Sequence, residues 1–229
     1  MKEERNTDVN SIFSNLKVVE KNLLKEPEIF LNIGEVHKGK GSVHAMDLYT
    51  SAVINRGIAL IKGFIILSLE NNYISAVPLI RLQVDNCLRF YASTLVSNYD
   101  DFFLKYLEGE HIRNIKDSNG YKMTDNYLAK KLNKELFPGI LSLYQNSSGY
   151  VHLSNEYSFL QTSILDSKER SITTKIGEFD FFKIDKKVDF AYNMFKASEF
   201  LLELVKLWKF QKHKVELEML NGIDKKNRK

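Results

Sequence analysis

The chain has 229 residues, 44% hydrophobic, 12% aromatic and 27% charged, with a formal net charge of +4. That composition excludes a disordered or low-complexity chain, and a polypeptide of this length buries around three quarters of its unfolded surface on folding, so it needs no covalent staples. A single cysteine, Cys87, excludes internal disulfides and a multi-cysteine zinc site and agrees with a reducing compartment, read here as the cytoplasm, while the mild positive charge permits an anionic partner without requiring one.

The opening MKEERNTDVN is polar and mixed in charge, with no apolar stretch behind a basic start, so no signal peptide is expected. Between Asp8 and Lys25 the residues Ile12, Leu16, Val19 and Leu23 recur at steps of four, three and four, which predicts a helix ended by the Pro27 of EPE. NIGEVHKGKGSVH, residues 32 to 44, reads as a loop. From Ala45 to Glu70 the pattern is apolar on nearly every side after Gly57, as in the central helix of a bundle. Its greasiest run, residues 57 to 69, is interrupted by Lys62 and falls short of the roughly 20 apolar residues of a membrane span, so no membrane is expected.

A further helix is predicted from about Asn71 to Asn98, with Asn71, Asn72 or Ser75 as N-cap and Pro78 tolerated in the first turn. DDFFLKYLEGEHIRNIK continues as an amphipathic helix, DSNG is a turn, and Thr124 or Asp125 caps a short helix through Leu132. FPG, at 137 to 139, opens the segment that carries His152. YSFLQTSIL and SITTKIGEF, rich in β-branched and aromatic residues, predict a β-hairpin near 157–179. The longest helix follows, with a stripe of Val188, Ala191, Phe195, Leu202, Val205 and Trp208 that carries it to about His213; residues 221–229 are read as a basic flexible tail. The expected fold is therefore mainly α, a single helical bundle over residues 1–220 with a small β-hairpin inserted before a long C-terminal helix.

Two residues stand out chemically. On a helical wheel Arg81 falls among Ile74, Val77, Leu88, Ala92 and Leu95, all within about 40°, with Asp85 one turn on and Arg89 another turn beyond. A guanidinium facing the core needs a partner, and Asp85 at i+4 is the obvious one, so a structural Arg–Asp bridge is one reading and a functional cation the other. His152 in SSGYVHLS lines up with Leu141 and Ser148 if the helix from Gly139 continues through it, and Ser147, Ser148 and Gly149 remove bulk so that a neighbouring backbone can approach. It is either a hydrogen-bonded core histidine or a general base. No metal-ligand spacing, nucleophile elbow or phosphate loop appears, so neither metal nor cofactor is expected.

RLQVD (81 to 85) followed by LSLYQNSSGYVHLS (141 to 154) resembles a group of bacterial helical proteins in which an Arg-x-x-x-Glu helix precedes a Ser-x-Tyr-Val-His-x-Ser segment, a hairpin and a long C-terminal helix. The resemblance covers roughly residues 45 to 215, and Asp85 stands here in place of the Glu. Such proteins look like distant relatives of the HEPN superfamily of toxins, CRISPR effectors and abortive-infection proteins, whose active members are metal-independent ribonucleases acting as dimers. The resemblance implies an RNA-directed role in toxin–antitoxin or phage-defence systems, with His152, Arg81 and Asp85 as catalytic residues and Arg89, Tyr150 and Ser154 holding RNA. HEPN nucleases carry the arginine on the histidine helix, whereas YQNSSGYV before His152 contains none, so the cation would come from Arg81 or Arg89 on another helix. The alternative is a non-catalytic module that dimerises or docks on a partner protein, with Arg81, Asp85 and His152 as a buried network fixing helix register.

Overall fold

The computed structural model of the protein describes residues 9–31, 44–149, 162–166, 171–174 and 182–226. In chain order these form α1 (Val9–Leu31), α2 (Ala45–Leu69), α3 (Tyr73–Ser93), α4 (Tyr99–Leu107), a 3-10 turn (Ile112–Asn114), α5 (Asp125–Glu135), α6 (Ile140–Ser148), β1 (Thr162–Asp166), β2 (Ser171–Thr174) and α7 (Ile184–Lys226). The mainly helical class expected from the periodicity is what the chain adopts. α1, α2, α3 and α7 surround the main core, α1 against α2 and α7, and α3 against the same two helices from the other side. The outer face of α3 carries α5 and α6. β1 and β2 pair antiparallel, Ile164 opposite Ile172, with an irregular register between Ile164 and Asp166.

The apolar stripes read from the sequence are the ones that pack. Ile12, Leu16, Val19 and Leu23 of α1 are buried, as are Ala191, Leu202, Val205 and Trp208 of α7. α2 is long and apolar enough to cross a membrane by length and composition, its best window having a mean hydropathy of 1.7, and half of that window is buried inside the bundle. Gly57 sits where α2 meets α3 and α7: a Cβ there would lie 2.4 Å from Leu201 Cδ2 and 3.3 Å from the Asn86 amide nitrogen. The missing side chain leaves room for two buried α3 amides. Gln83 Nε2 donates to Ser198 Oγ at 3.1 Å and Asn86 Nδ2 to the Val53 carbonyl at 2.9 Å, so α3 is tied to both neighbours through polar as well as apolar contacts.

Several boundaries differ from expectation, each for a local reason. α1 runs past Pro27 to Leu31; proline removes a single intrahelical bond, and buried Glu26 beside it is held by Lys209 of α7 at 2.7 Å. Asn72 is the cap of α3, accepting from Ser75 N at 3.2 Å, which leaves Pro78 in the second turn instead of the first. α3 stops at Ser93, because Asn98 caps the next helix by accepting from Asp100 N and Asp101 N at 2.9 and 3.1 Å. α4 stops at Leu107, where Gly109 takes φ +82°, so it does not extend through IRNIK. α7 continues to Lys226 instead of ending near His213, which makes most of the expected basic tail helical; Lys, Glu, Leu and Met dominate that stretch and favour the helix after the apolar stripe has run out.

Candidate functional site

Arg81 lies in the middle of α3, and its side chain is only 11% exposed. Its Nε lies 3.2 Å from Asp85 Oδ1, its Nη1 donates to the Tyr144 carbonyl and to Ser148 Oγ, both at 3.0 Å, and its Cζ sits 4.0 Å above the Tyr144 ring. The expected Asp85 partner is thus present, and three further contacts come from α6. Ser148 completes the arrangement by donating to Tyr144 O at 2.9 Å while accepting from Arg81. Of the small residues before His152, Ser148 meets the Arg81 guanidinium and Ser147 is fully buried, while a Cβ on Gly149 would meet nothing within 4 Å among the described residues.

Arg89, two turns along α3, pairs through Nη2 with Asp125 Oδ1 at 2.5 Å, and Asp125 Oδ2 is also 3.9 Å from Arg81 Nη2. Asp125 is the first residue of α5, where the helix N-terminus favours a negative charge. Two arginines and two carboxylates thus join α3, α5 and α6. The network is only partly satisfied: Asp85 Oδ1, Arg89 Nη1 and Asp125 Oδ1 are buried and make no directed hydrogen bond among the described residues. Asp85 and Asp125 are therefore held by charge more than by hydrogen-bond geometry. Burial raises the Asp85 carboxyl above the usual range; Arg81 opposes that rise and Asp125 adds to it.

The wheel drawn from Gly139 holds as far as Ser148, the last residue of α6. Tyr150, His152 and Ser154 lie outside the described residues, as do His37 and most of the predicted hairpin, so Arg81, Asp85 and Arg89 are the expected site residues that the structure brings together. Among the described residues no group of three or more His, Cys, Asp or Glu side chains could hold a metal ion. Cys87 is fully buried, donates to the Ala197 carbonyl at 3.3 Å, and has its thiol pushed up by burial, which makes it a packing residue.

One feature of the site is not apparent in the sequence. Beside the Arg89–Asp125 pair, a cleft of about 550 Å³ opens between α2, α3, α4 and the 3-10 turn, and Arg56, Arg89, Arg113 and His111 line it. Its inner wall holds Tyr49, whose hydroxyl donates to the Arg89 carbonyl at 3.1 Å; burial, and then the neighbouring Tyr106, push that hydroxyl's pKa up, so it stays a donor. Arg56 and Lys62 are the basic residues of a mainly apolar α2, and an arginine in such a helix is the available sequence signal. Its neighbour in the cleft, Arg113, comes from a segment almost sixty positions away, and no periodicity links the two. The chain matches no protein-family model, no curated protein and no solved structure.

Proposed function

We propose that this chain is an RNA-directed protein of the toxin or phage-defence kind, acting without a metal ion in the cytoplasm as a homodimer. What supports the reading is the anchoring of α6 by Arg81: the helix that leads into SSGYVHLS is fastened, through Tyr144 O and Ser148 Oγ, to the helix that carries Arg89 beside an arginine-lined cleft. In this reading neutral His152 takes the proton from a ribose 2′-hydroxyl, the freed oxygen attacks the adjacent phosphorus, and the 5′ oxygen leaves with a proton from solvent. Arg89 meets the charge on the phosphate. Arg81, already engaged by Asp85 and α6, acts as a positioning residue. Tyr150 and Ser154 hold the substrate, and the paired strands belong to a hairpin over 157–179. The test is cleavage of single-stranded RNA in the presence of a chelator: His152→Ala is expected to slow it by roughly 10²- to 10⁴-fold, and equal rates for the two proteins would refute the assignment.

A second reading rests on the same arginine. Arg81 ties α3 to α6 through Asp85, Tyr144 O and Ser148 Oγ, as a structural bridge does, so the chain can equally serve as a non-catalytic module presented to a second copy or another protein. Under that reading Arg81→Ala lowers stability, and no His152-dependent RNA cleavage is found.

A further inference from the structure

The cleft beside Arg89 has the composition of an anion site. Arg56 and Arg113 are exposed and lightly held: Arg56 has one long contact, Nη1 to Asn86 Oδ1 at 3.4 Å, and Arg113 makes no hydrogen bond or ion pair among the described residues. Behind them Arg89 has its Nη2 on Asp125, while its buried Nη1 has no acceptor among the described residues. The acidic groups on the lining are Glu110 and Asp125, and Asp125 is shared between Arg89 and Arg81. Three arginines therefore line one concave surface, and among the described residues Glu110 is the one lining carboxylate not already paired with an arginine. Guanidiniums match phosphate oxygens in planar, paired geometry, and they hold them more strongly in a cleft than on an open surface. Tyr106 adds an aromatic face at the rim: it is 40% exposed, packs edge-on against Tyr49 with centroids 5.0 Å apart and is stacked on Phe103, so its orientation is fixed in advance.

We propose that this cleft is a nucleotide subsite, in which Arg56, Arg89 and Arg113 hold a phosphate and Tyr106 offers the surface on which the attached base stacks. The choice of a nucleotide rests on the RNA reading; the choice of a phosphate rests on the three arginines. Base stacking on an aromatic side chain tolerates any base, so the site selects phosphate plus ring and not sequence. Because Asp125 bridges Arg89 to Arg81, a phosphate that draws Arg89 into the cleft also loosens its hold on Asp125 and thus reaches the network that anchors α6.

The full chain is titrated by calorimetry at low ionic strength with AMP, adenosine and inorganic phosphate. AMP is expected to bind more tightly than phosphate, and adenosine least. Arg56→Gln and Arg113→Gln are each expected to weaken AMP by about tenfold or more while the fold is kept, the ligand-free melting temperature being no lower than that of wild type because both residues are exposed. Tyr106→Ala is expected to remove the advantage of AMP over inorganic phosphate. The proposal is overturned if neither AMP nor phosphate binds, or if the Arg56→Gln/Arg113→Gln double variant binds AMP as wild type does. The two readings fail separately. Arginine-dependent AMP binding in a protein whose RNA cleavage ignores His152→Ala upholds the subsite and removes the nuclease; His152-dependent cleavage with arginine-independent AMP binding removes the subsite alone.

Discussion

Asp47 and Lys212 meet near the start of α2 with side chains 0% and 1% exposed, whereas Arg81, Asp85, Arg89 and Asp125 keep 11 to 31% of theirs in contact with solvent. Around Asp47 every acceptor is used. Lys212 Nζ lies 2.6 Å from Oδ2, the His44 backbone N–H donates to the same oxygen at 2.8 Å, and Trp208 Nε1 donates to Oδ1 at 3.2 Å. Around Arg81 the charges are balanced, but three polar atoms lack a directed hydrogen bond among the described residues. A sealed pair whose carboxylate is fully hydrogen-bonded holds α2 to α7. A half-open one with spare hydrogen-bonding capacity can exchange a partner for a ligand, and the cleft lies on that side of α3.

The largest effect is expected where the pair is sealed. Asp47→Ala removes the carboxylate that faces a side chain only 1% exposed, Lys212, and should cost about 3–5 kcal/mol in urea unfolding. Adding Lys212→Met should recover part of that loss, because it removes a buried charge and keeps the packing of a long side chain. A loss below about 1 kcal/mol for Asp47→Ala would place this pair in the class of exposed salt bridges and erase the contrast.

Arg81→Ala comes next. It removes two charge-assisted hydrogen bonds to α6 and the pairing of Asp85, and about 2–3 kcal/mol is expected. Arg81→Lys should not restore it, since an ammonium cannot reach Asp85, Tyr144 O and Ser148 Oγ together while lying over the Tyr144 ring. Loss of hydrogen-exchange protection confined to α6 would show where the energy resides; rescue by lysine would show that charge alone matters.

The network also carries a sign in pH. Burial raises the Asp85 carboxyl against the pull of Arg81, so the folded state binds its proton more tightly than the unfolded chain does; that contribution is present below the unfolded pKa and lost as pH rises through the folded value. Asp117 behaves oppositely. Burial raises its pKa, but hydrogen bonds from the Tyr127 hydroxyl and the Tyr121 and Asn119 N–H groups outweigh that and leave it lowered, so its contribution is present above the unfolded pKa and lost as pH falls through the folded one. Burial, and then the bond it donates to Asp117, push the Tyr127 hydroxyl up to about 12. Melting temperatures from about pH 3 to 7, taken for Asp85→Asn and Asp117→Asn against wild type, should give difference curves of opposite slope. Parallel curves would mean that Asp85 is held by its arginines as an ordinary ion pair.

How much of this was legible in the sequence divides along the same line. The stripes of α1 and α7 and the inward placement of Arg81 follow from a period of 3.6, which is a local property. The Arg81–Asp85 pair follows from i+4 spacing. Asp47–Lys212 does not: the partners are 165 positions apart, and Lys212 on a basic stretch reads as a solvated lysine until α7 is laid against α2. The cleft is hidden for the same reason, since Arg56, Arg89 and Arg113 come from three elements whose juxtaposition depends on tertiary packing. The misplaced helix ends have a different cause. Gly109 and Asn98 act through backbone conformation and capping, which outweigh an apolar pattern that continues beyond them.

The smallest expected effect on stability is the most discriminating for function. Arg113 lies on the 3-10 turn, exposed, with no hydrogen bond or ion pair among the described residues, so Arg113→Gln should change unfolding free energy by less than about 0.5 kcal/mol. A surface arginine that did nothing would leave phosphate binding equally untouched. It lines the same cleft as Arg56 and an incompletely paired Arg89, and three like charges lining one concavity repel each other unless an anion enters. If the repulsion is real, Arg113→Gln should raise the melting temperature slightly at low ionic strength and not at about 1 M salt, where charges are screened within about 3 Å. Adding inorganic phosphate at low ionic strength should stabilise wild type more than the variant and reverse their order. A melting temperature that ignores both salt and phosphate would mark Arg113 as an ordinary solvated side chain and leave the half-open network, like the sealed one, a matter of stability alone.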